Sequence, residues 1–65
     1  MPMIQITMLA GRTAEQKRKI AQRVTDVVAE EAVTPREAIV VAFYEVTKEN
    51  YALDGQLIAD KQRSS

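Results

Sequence analysis

Apolar and polar residues alternate through Met3-Ile4-Gln5-Ile6-Thr7-Met8, with Ile4, Ile6 and Met8 on one side of an extended backbone and Met3, Gln5 and Thr7 on the other. This period of two predicts a β-strand beginning almost at the first residue. Ala10-Gly11-Arg12 then forms a connection, and Thr13-Ala14-Glu15-Gln16 has the form of a capping box, in which the threonine accepts from a first-turn amide and the glutamine reaches back. A helix starts here. Ile20, Val24, Val27, Val28 and Ala32, flanked by Ala21 and Ala29, make one apolar stripe, while Lys17, Arg18, Lys19, Arg23, Asp26 and Glu30 lie mainly off it. The spacing predicts a helix from about Ala14 to Ala32, near 28 Å long at about 1.5 Å per residue.

Thr34-Pro35-Arg36-Glu37 repeats the start signal, with threonine as cap, proline first and glutamate third, and leaves room for a single turn. In the β-prone run Ile39 to Val46, the residues Ile39, Val41 and Phe43 alternate with Val40, Ala42 and Tyr44, so both faces are apolar. One helix covers one face of such a strand. The other face is expected to meet another subunit. Strand, helix, strand is a βαβ unit with parallel strands and a right-handed crossover, which predicts an α/β (α+β) protomer. Thr47 to Asn50 reads as a turn, Tyr51 to Leu53 as a short extended piece, and Asp54-Gly55 as a hairpin turn before Gln56 to Ala59. Residues 1–65 make a single domain in which 60–65 form a polar, flexible tail.

A chain of 65 residues hides only about 60% of the surface that its unfolded form exposes. With no cysteine and no histidine, neither a disulfide nor a zinc staple can supplement its core, so self-association is the expected remedy. No apolar run approaches the roughly 20 residues of a membrane span, and the start lacks a basic-then-apolar leader. A cytoplasmic protein with no membrane partner is expected. Nine basic and nine acidic residues cancel, and no basic run is interleaved with aromatics, which argues against nucleic acid as a partner.

The same absences narrow the chemistry. Without histidine or a thiol, the group whose ordinary pKa lies closest to neutrality is the α-amine, at about 7.7 to 8.0. The only serines, Ser64 and Ser65, sit at the end of the chain, so no serine-histidine nucleophile can be assembled. Met1-Pro2 is a sequence from which methionine is normally removed, leaving a prolyl amine at the tip of the first strand. An end continuous with a packed strand is held in place. Its nitrogen is then a positioned base or nucleophile.

The stretch Gly11-Arg12-Thr13-Ala14-Glu15-Gln16-Lys17, about ten residues after Pro2, together with Ile39-Val40-Val41, Glu45, Asn50-Tyr51 and Gly55, resembles the 4-oxalocrotonate tautomerase family over nearly the whole chain. The resemblance implies a β-α-β protomer whose dimers assemble further, commonly into a hexamer (a trimer of dimers). It also implies enzymes that move protons in enol and dienol acids without cofactor or metal. Pro2 carries over as the general base, and Arg12 as anchor and electrophile for a small-molecule carboxylate substrate, through the fork geometry of guanidinium. Tyr51 falls where the family has a pocket-walling phenylalanine. The family's second substrate-binding arginine aligns with Val40, and Arg36, in the preceding turn, is the candidate to compensate. Hydrolytic dehalogenation, which uses a glutamate at the position of Leu53, is not expected.

The expected activity is ketonisation of small 2-hydroxy-dienoate or enolpyruvate-type acids by a homo-oligomeric, cofactor-independent isomerase. Two rival readings keep the fold: a non-catalytic oligomeric binding protein, favoured by Val40, and an imine-forming enzyme with the prolyl amine as nucleophile.

Overall fold

The alternating segment Met3–Leu9 is the strand β1 in the computed structural model, which describes residues 2–63. It leads to the helix α1 (Ala14–Glu31), a 3-10 turn at Arg36–Ala38, the strand β2 (Val40–Val46) and a second 3-10 turn at Lys48–Asn50. The chain closes with the short strands β3 (Ala52–Leu53) and β4 (Gln56–Leu57) and the helix α2 (Ile58–Arg63). β1 and β2 pair in parallel, from Met3 opposite Val40 to Leu9 opposite Val46. One backbone bond extends each end: Val40 N–H donates to the Pro2 carbonyl at 3.1 Å, and Ala10 N–H to the Val46 carbonyl at 2.8 Å. The architecture is α+β with the β-α-β arrangement that the pattern predicts. β3 and β4 form the expected hairpin around Asp54 and Gly55, whose φ angles of 55° and 78° are the left-handed pair of a tight primed turn.

The capping box forms as read: Gln16 N–H donates to Thr13 Oγ1 at 3.1 Å, and Thr13 N–H donates to Gln16 Oε1 at 2.9 Å. Ile20, Ala21, Val24, Val28 and Ala29 are half-buried, as are Ile4, Ile6, Met8, Val41 and Phe43 on the sheet. Lys17 pairs with Glu45 of β2 at 2.9 Å, tying the start of the helix to the far end of the sheet. Val27 departs from the predicted stripe and is 61% exposed. At the C-terminal end Thr34 N–H reaches the Ala29 carbonyl at 3.1 Å with Val33 at φ 50°, so the helix closes in a Schellman-type turn that usually takes glycine.

Three boundaries differ from the sequence reading. Pro35, not Thr34, occupies the cap position of the first 3-10 turn; the Thr34 hydroxyl donates back to the Ala32 carbonyl at 3.3 Å and closes the preceding turn instead. The second hairpin strand ends at Leu57: Ile58 N–H donates the last bond of the pairing, to the Tyr51 carbonyl at 2.8 Å, and the following residues are good helix formers. Residues 60–63, expected as tail, continue that helix. Met1, Ser64 and Ser65 lie outside the described residues.

The apolar residues do not close on one another. None of the described residues is fully buried, and Met3, Val40 and Tyr44, on the sheet face away from α1, are exposed. The radius of gyration is 15.3 Å, against about 11 Å for a compact chain of this length. The accessible surface is 5070 Å², roughly 900 Å² more than the ~4,200 Å² typical of a compact protein of this mass. A lone protomer is therefore a helix on one face of a sheet whose other face is bare. No helix of the described residues is long and apolar enough to cross a membrane.

Candidate active site

β1 ends in a turn that only glycine adopts readily. Gly11 has φ 132°, and the left-handed geometry swings the next residue off the line of the strand before Thr13 starts the helix. Arg12 stands at that corner. Its guanidinium makes no hydrogen bond or ion pair with any described residue. Beside it lies a cavity of about 390 Å³ lined by Thr7, Met8, Leu9, Ala10, Gly11, Arg12 and Tyr51. Tyr51 is 42% exposed, and the bond from Ile58 to its carbonyl fixes its backbone against the hairpin.

The structure thus brings Arg12 and Tyr51 together and leaves Pro2 elsewhere. Pro2 is half-buried at the opposite end of β1, its carbonyl held by Val40. Seven strand residues separate the two ends, about 23 Å at ~3.3 Å per residue. A prolyl nitrogen and a guanidinium so placed cannot touch one small acid within a single protomer. Arg36 lies towards the Pro2 end, in the turn before β2, and its Nη1 donates to Asp26 Oδ1. That guanidinium already has its carboxylate.

On the other side of Arg12 a shallow groove of about 500 Å³ runs along the helix, lined by Arg12, Gln16, Lys19, Ile20 and Arg23. Among the described residues no group of three or more acidic, histidine or cysteine side chains is arranged to hold a metal ion. What the Arg12 cavity can do is bind and polarise an anion. An unpaired fork of five N–H donors matches a carboxylate or the oxygen of a developing enolate, and the Met8, Leu9 and Tyr51 side chains beside it can pack an apolar chain. Thr7, Met8 and Leu9 read in the sequence only as strand residues; their position just ahead of Gly11-Arg12 was the signal that they line the same cavity.

A family model described as "Tautomerase enzyme" matches residues 2–61. Among curated relatives, a 2-hydroxymuconate tautomerase of Bacillus subtilis is 40% identical over 62 residues, which is 95% of this chain and 100% of that one. Among solved structures, one from the 4-oxalocrotonate tautomerase isozymes of Methylibium petroleiphilum superposes with a TM-score of 0.95 at 30% identity, covering 98% of this chain and 100% of that one. A chain of the heterohexameric 4-oxalocrotonate tautomerase of Chloroflexus aurantiacus superposes with a TM-score of 0.88 at 28% identity, covering 92% and 97%.

Proposed function

Because the chain belongs to the tautomerase family, whose members are keto-enol isomerases, we propose that it ketonises small 2-hydroxy-dienoate or enolpyruvate-type acids, with the amine of Pro2 as the base. The reaction moves one proton. The prolyl nitrogen, freed by removal of Met1, takes the proton of the substrate's 2-hydroxyl, electron density shifts through the enol, and the same nitrogen returns the proton to carbon. Arg12 holds the carboxylate and draws charge onto the 2-oxo oxygen, and Tyr51 closes the side of the cavity.

Half-burial of Pro2 and the approach of a guanidinium both disfavour the protonated amine, which keeps the lone pair available near neutral pH. A positioned base of this kind contributes about 10²- to 10⁴-fold, and a cation aimed at the enolate about as much again.

The observation that carries the reading is the unpaired Arg12 guanidinium beside its cavity, at the far end of the strand from Pro2. On this reading the working enzyme is a homo-oligomer in which Pro2 of one protomer meets Arg12 of another. A hexameric assembly suits the outer sheet face left bare in the protomer and the heterohexameric relative. The test is Pro2→Ala on processed protein, with 2-hydroxymuconate and phenylenolpyruvate as substrates: kcat should fall by about 10²-fold or more with the circular dichroism unchanged. Unchanged turnover would remove Pro2 from the mechanism and favour the binding-protein reading.

A further inference from the structure

The groove beside α1 gathers cations with little to offset them. Arg12, Gln16, Lys19 and Arg23 recur at intervals of three or four and, with Ile20, line about 500 Å³ that includes no carboxylate. Lys19 and Arg23, four residues apart on one face, are a like-charged pair, which weakens a helix. The acids within reach are engaged elsewhere. Glu15 binds Arg18 at 2.7 Å and lies 3.9 Å from Lys19, so Lys19 has only the longer share of a divided carboxylate. Asp26, three residues beyond Arg23, is held by Arg36, and Glu45 by Lys17. Arg23 has no ionic or hydrogen-bond partner among the described residues. A local conflict of this kind, kept where neighbouring charges are paired, marks a place where a ligand supplies the missing sign.

Arg12 belongs to this groove and to the cavity at the end of β1 alike. A guanidinium has one fork, and a fork that is bidentate to an anion on the helix side cannot also hold a carboxylate in the cavity. Occupants of the two spaces therefore compete for the same group. From Gln16 to Arg23 the groove runs about 10 Å along the axis at ~1.5 Å per residue. One carboxylate is too short to reach from Arg12 to Arg23, whereas a chain of linked phosphates carries several charges over that length and suits both arginine and lysine.

We propose that the groove binds a linear chain of phosphates, free or as the triphosphate of a nucleotide, across Lys19 and Arg23, and that this occupant inhibits the enzyme by drawing Arg12 out of the cavity. Two guanidinium forks and one ammonium supply the charge. Gln16 adds a neutral donor, because the capping box uses its Oε1 and leaves the Nε2 hydrogens to bond the anion. Substrate and effector then exclude each other through one shared side chain. The binding does not depend on the prolyl base, and only the inhibition rests on the catalytic reading of Arg12.

The experiment measures ketonisation with tripolyphosphate, orthophosphate or chloride added at one ionic strength. Tripolyphosphate should raise KM for the enol acid at constant kcat, with an inhibition constant about tenfold or more below that of orthophosphate. In the double variant Lys19→Gln, Arg23→Gln that constant should rise about tenfold or more, while kcat without inhibitor and the circular dichroism stay unchanged. Nitrogen NMR gives a readout that needs no turnover: the side-chain Nε–H signals of Arg12 and Arg23 should move together with one midpoint as tripolyphosphate is added. The same shifts are expected in the Pro2→Ala chain, so a failure of the proline chemistry leaves this result readable. Adenosine triphosphate in a parallel titration separates the sources: tighter binding than the bare chain identifies a nucleotide, equal or weaker binding identifies the phosphates alone, and both support the site. Orthophosphate as potent as tripolyphosphate, a double variant inhibited as strongly as the unmodified chain, or an Arg23 signal that stays still while Arg12 shifts would each overturn the proposal.

Discussion

Two inactive variants mixed together should regain activity, and the amount is fixed by the distance between Pro2 and Arg12. The seven residues of β1 keep these groups about 23 Å apart in one protomer, whereas a substrate of six carbons is less than half that long. On the proposed mechanism each active site draws its prolyl amine from one chain and its guanidinium from another. On the same mechanism Pro2→Ala keeps a terminal amine but changes its basicity and position, and should lose much of a positioned base's contribution of about 10²- to 10⁴-fold. Arg12→Ala loses a charge-assisted fork of about 2 to 4 kcal/mol, or roughly 30- to 1,000-fold in kcat/KM. Its stability should not change, because Arg12 has no partner in the protomer to be orphaned. When equal amounts are unfolded together in urea and refolded, half of the two-chain units contain one variant of each kind. In each of these, one of the two sites joins an intact Pro2 to an intact Arg12, so about a quarter of the unmodified activity should return. The assay is the ultraviolet absorbance of the enol acid as it ketonises. If refolded mixtures stay at the level of the separate variants while the assembly is intact, the two residues do not share a site across subunits.

Smaller perturbations test the supports. Thr13→Ala removes the hydroxyl that accepts from Gln16 N–H and breaks the reciprocal box, which should cost about 1 kcal/mol in urea unfolding, with Thr13→Ser near neutral. Gly11→Ala adds a methyl that meets nothing within 4 Å but must hold a φ of 132°; a loss of about 1 to 3 kcal/mol or a shifted Arg12 is expected, read as lower stability together with lower kcat/KM. A double-mutant cycle on Lys17 and Glu45, whose side chains are 27% and 33% exposed, should give a coupling under about 1 kcal/mol that fades at high salt. Arg36→Ala should change kcat/KM by less than about threefold, since its guanidinium is already occupied by Asp26; a larger loss would place Arg36 in the site.

The elements that a local rule governs were legible from the residues alone. The alternation of Ile4, Ile6 and Met8, the box at Thr13 and Gln16, and the turn at Asp54-Gly55 each follow from one segment's own chemistry, and all three form. The misread positions are those settled by tertiary contacts. Val27 fits the apolar stripe by spacing, yet the sheet reaches only the Ile20, Val24 and Val28 side of the helix, leaving it exposed. Ile58 and Ala59 continue the hairpin pattern on paper, but a bond from Ile58 to Tyr51 closes the pairing and lets a helix follow. At the site, residue types were readable where positions were not. Arg12 and Tyr51 line one cavity, while Arg36 was taken by Asp26, ten residues back on a helix face that the sequence treats as solvent. The separation of Pro2 from Arg12 follows from counting β1.

The central claim is that an unblocked prolyl nitrogen is the base, and nitrogen NMR of protein labelled at proline measures it directly. With Met1 gone, the amine resonance should titrate below the ordinary terminal range of about 7.7 to 8.0, and the rising limb of kcat/KM against pH should follow the same midpoint. An amine still protonated well above that range while the enzyme turns over at neutral pH, or a nitrogen that remains an amide beneath a retained Met1, would contradict the account.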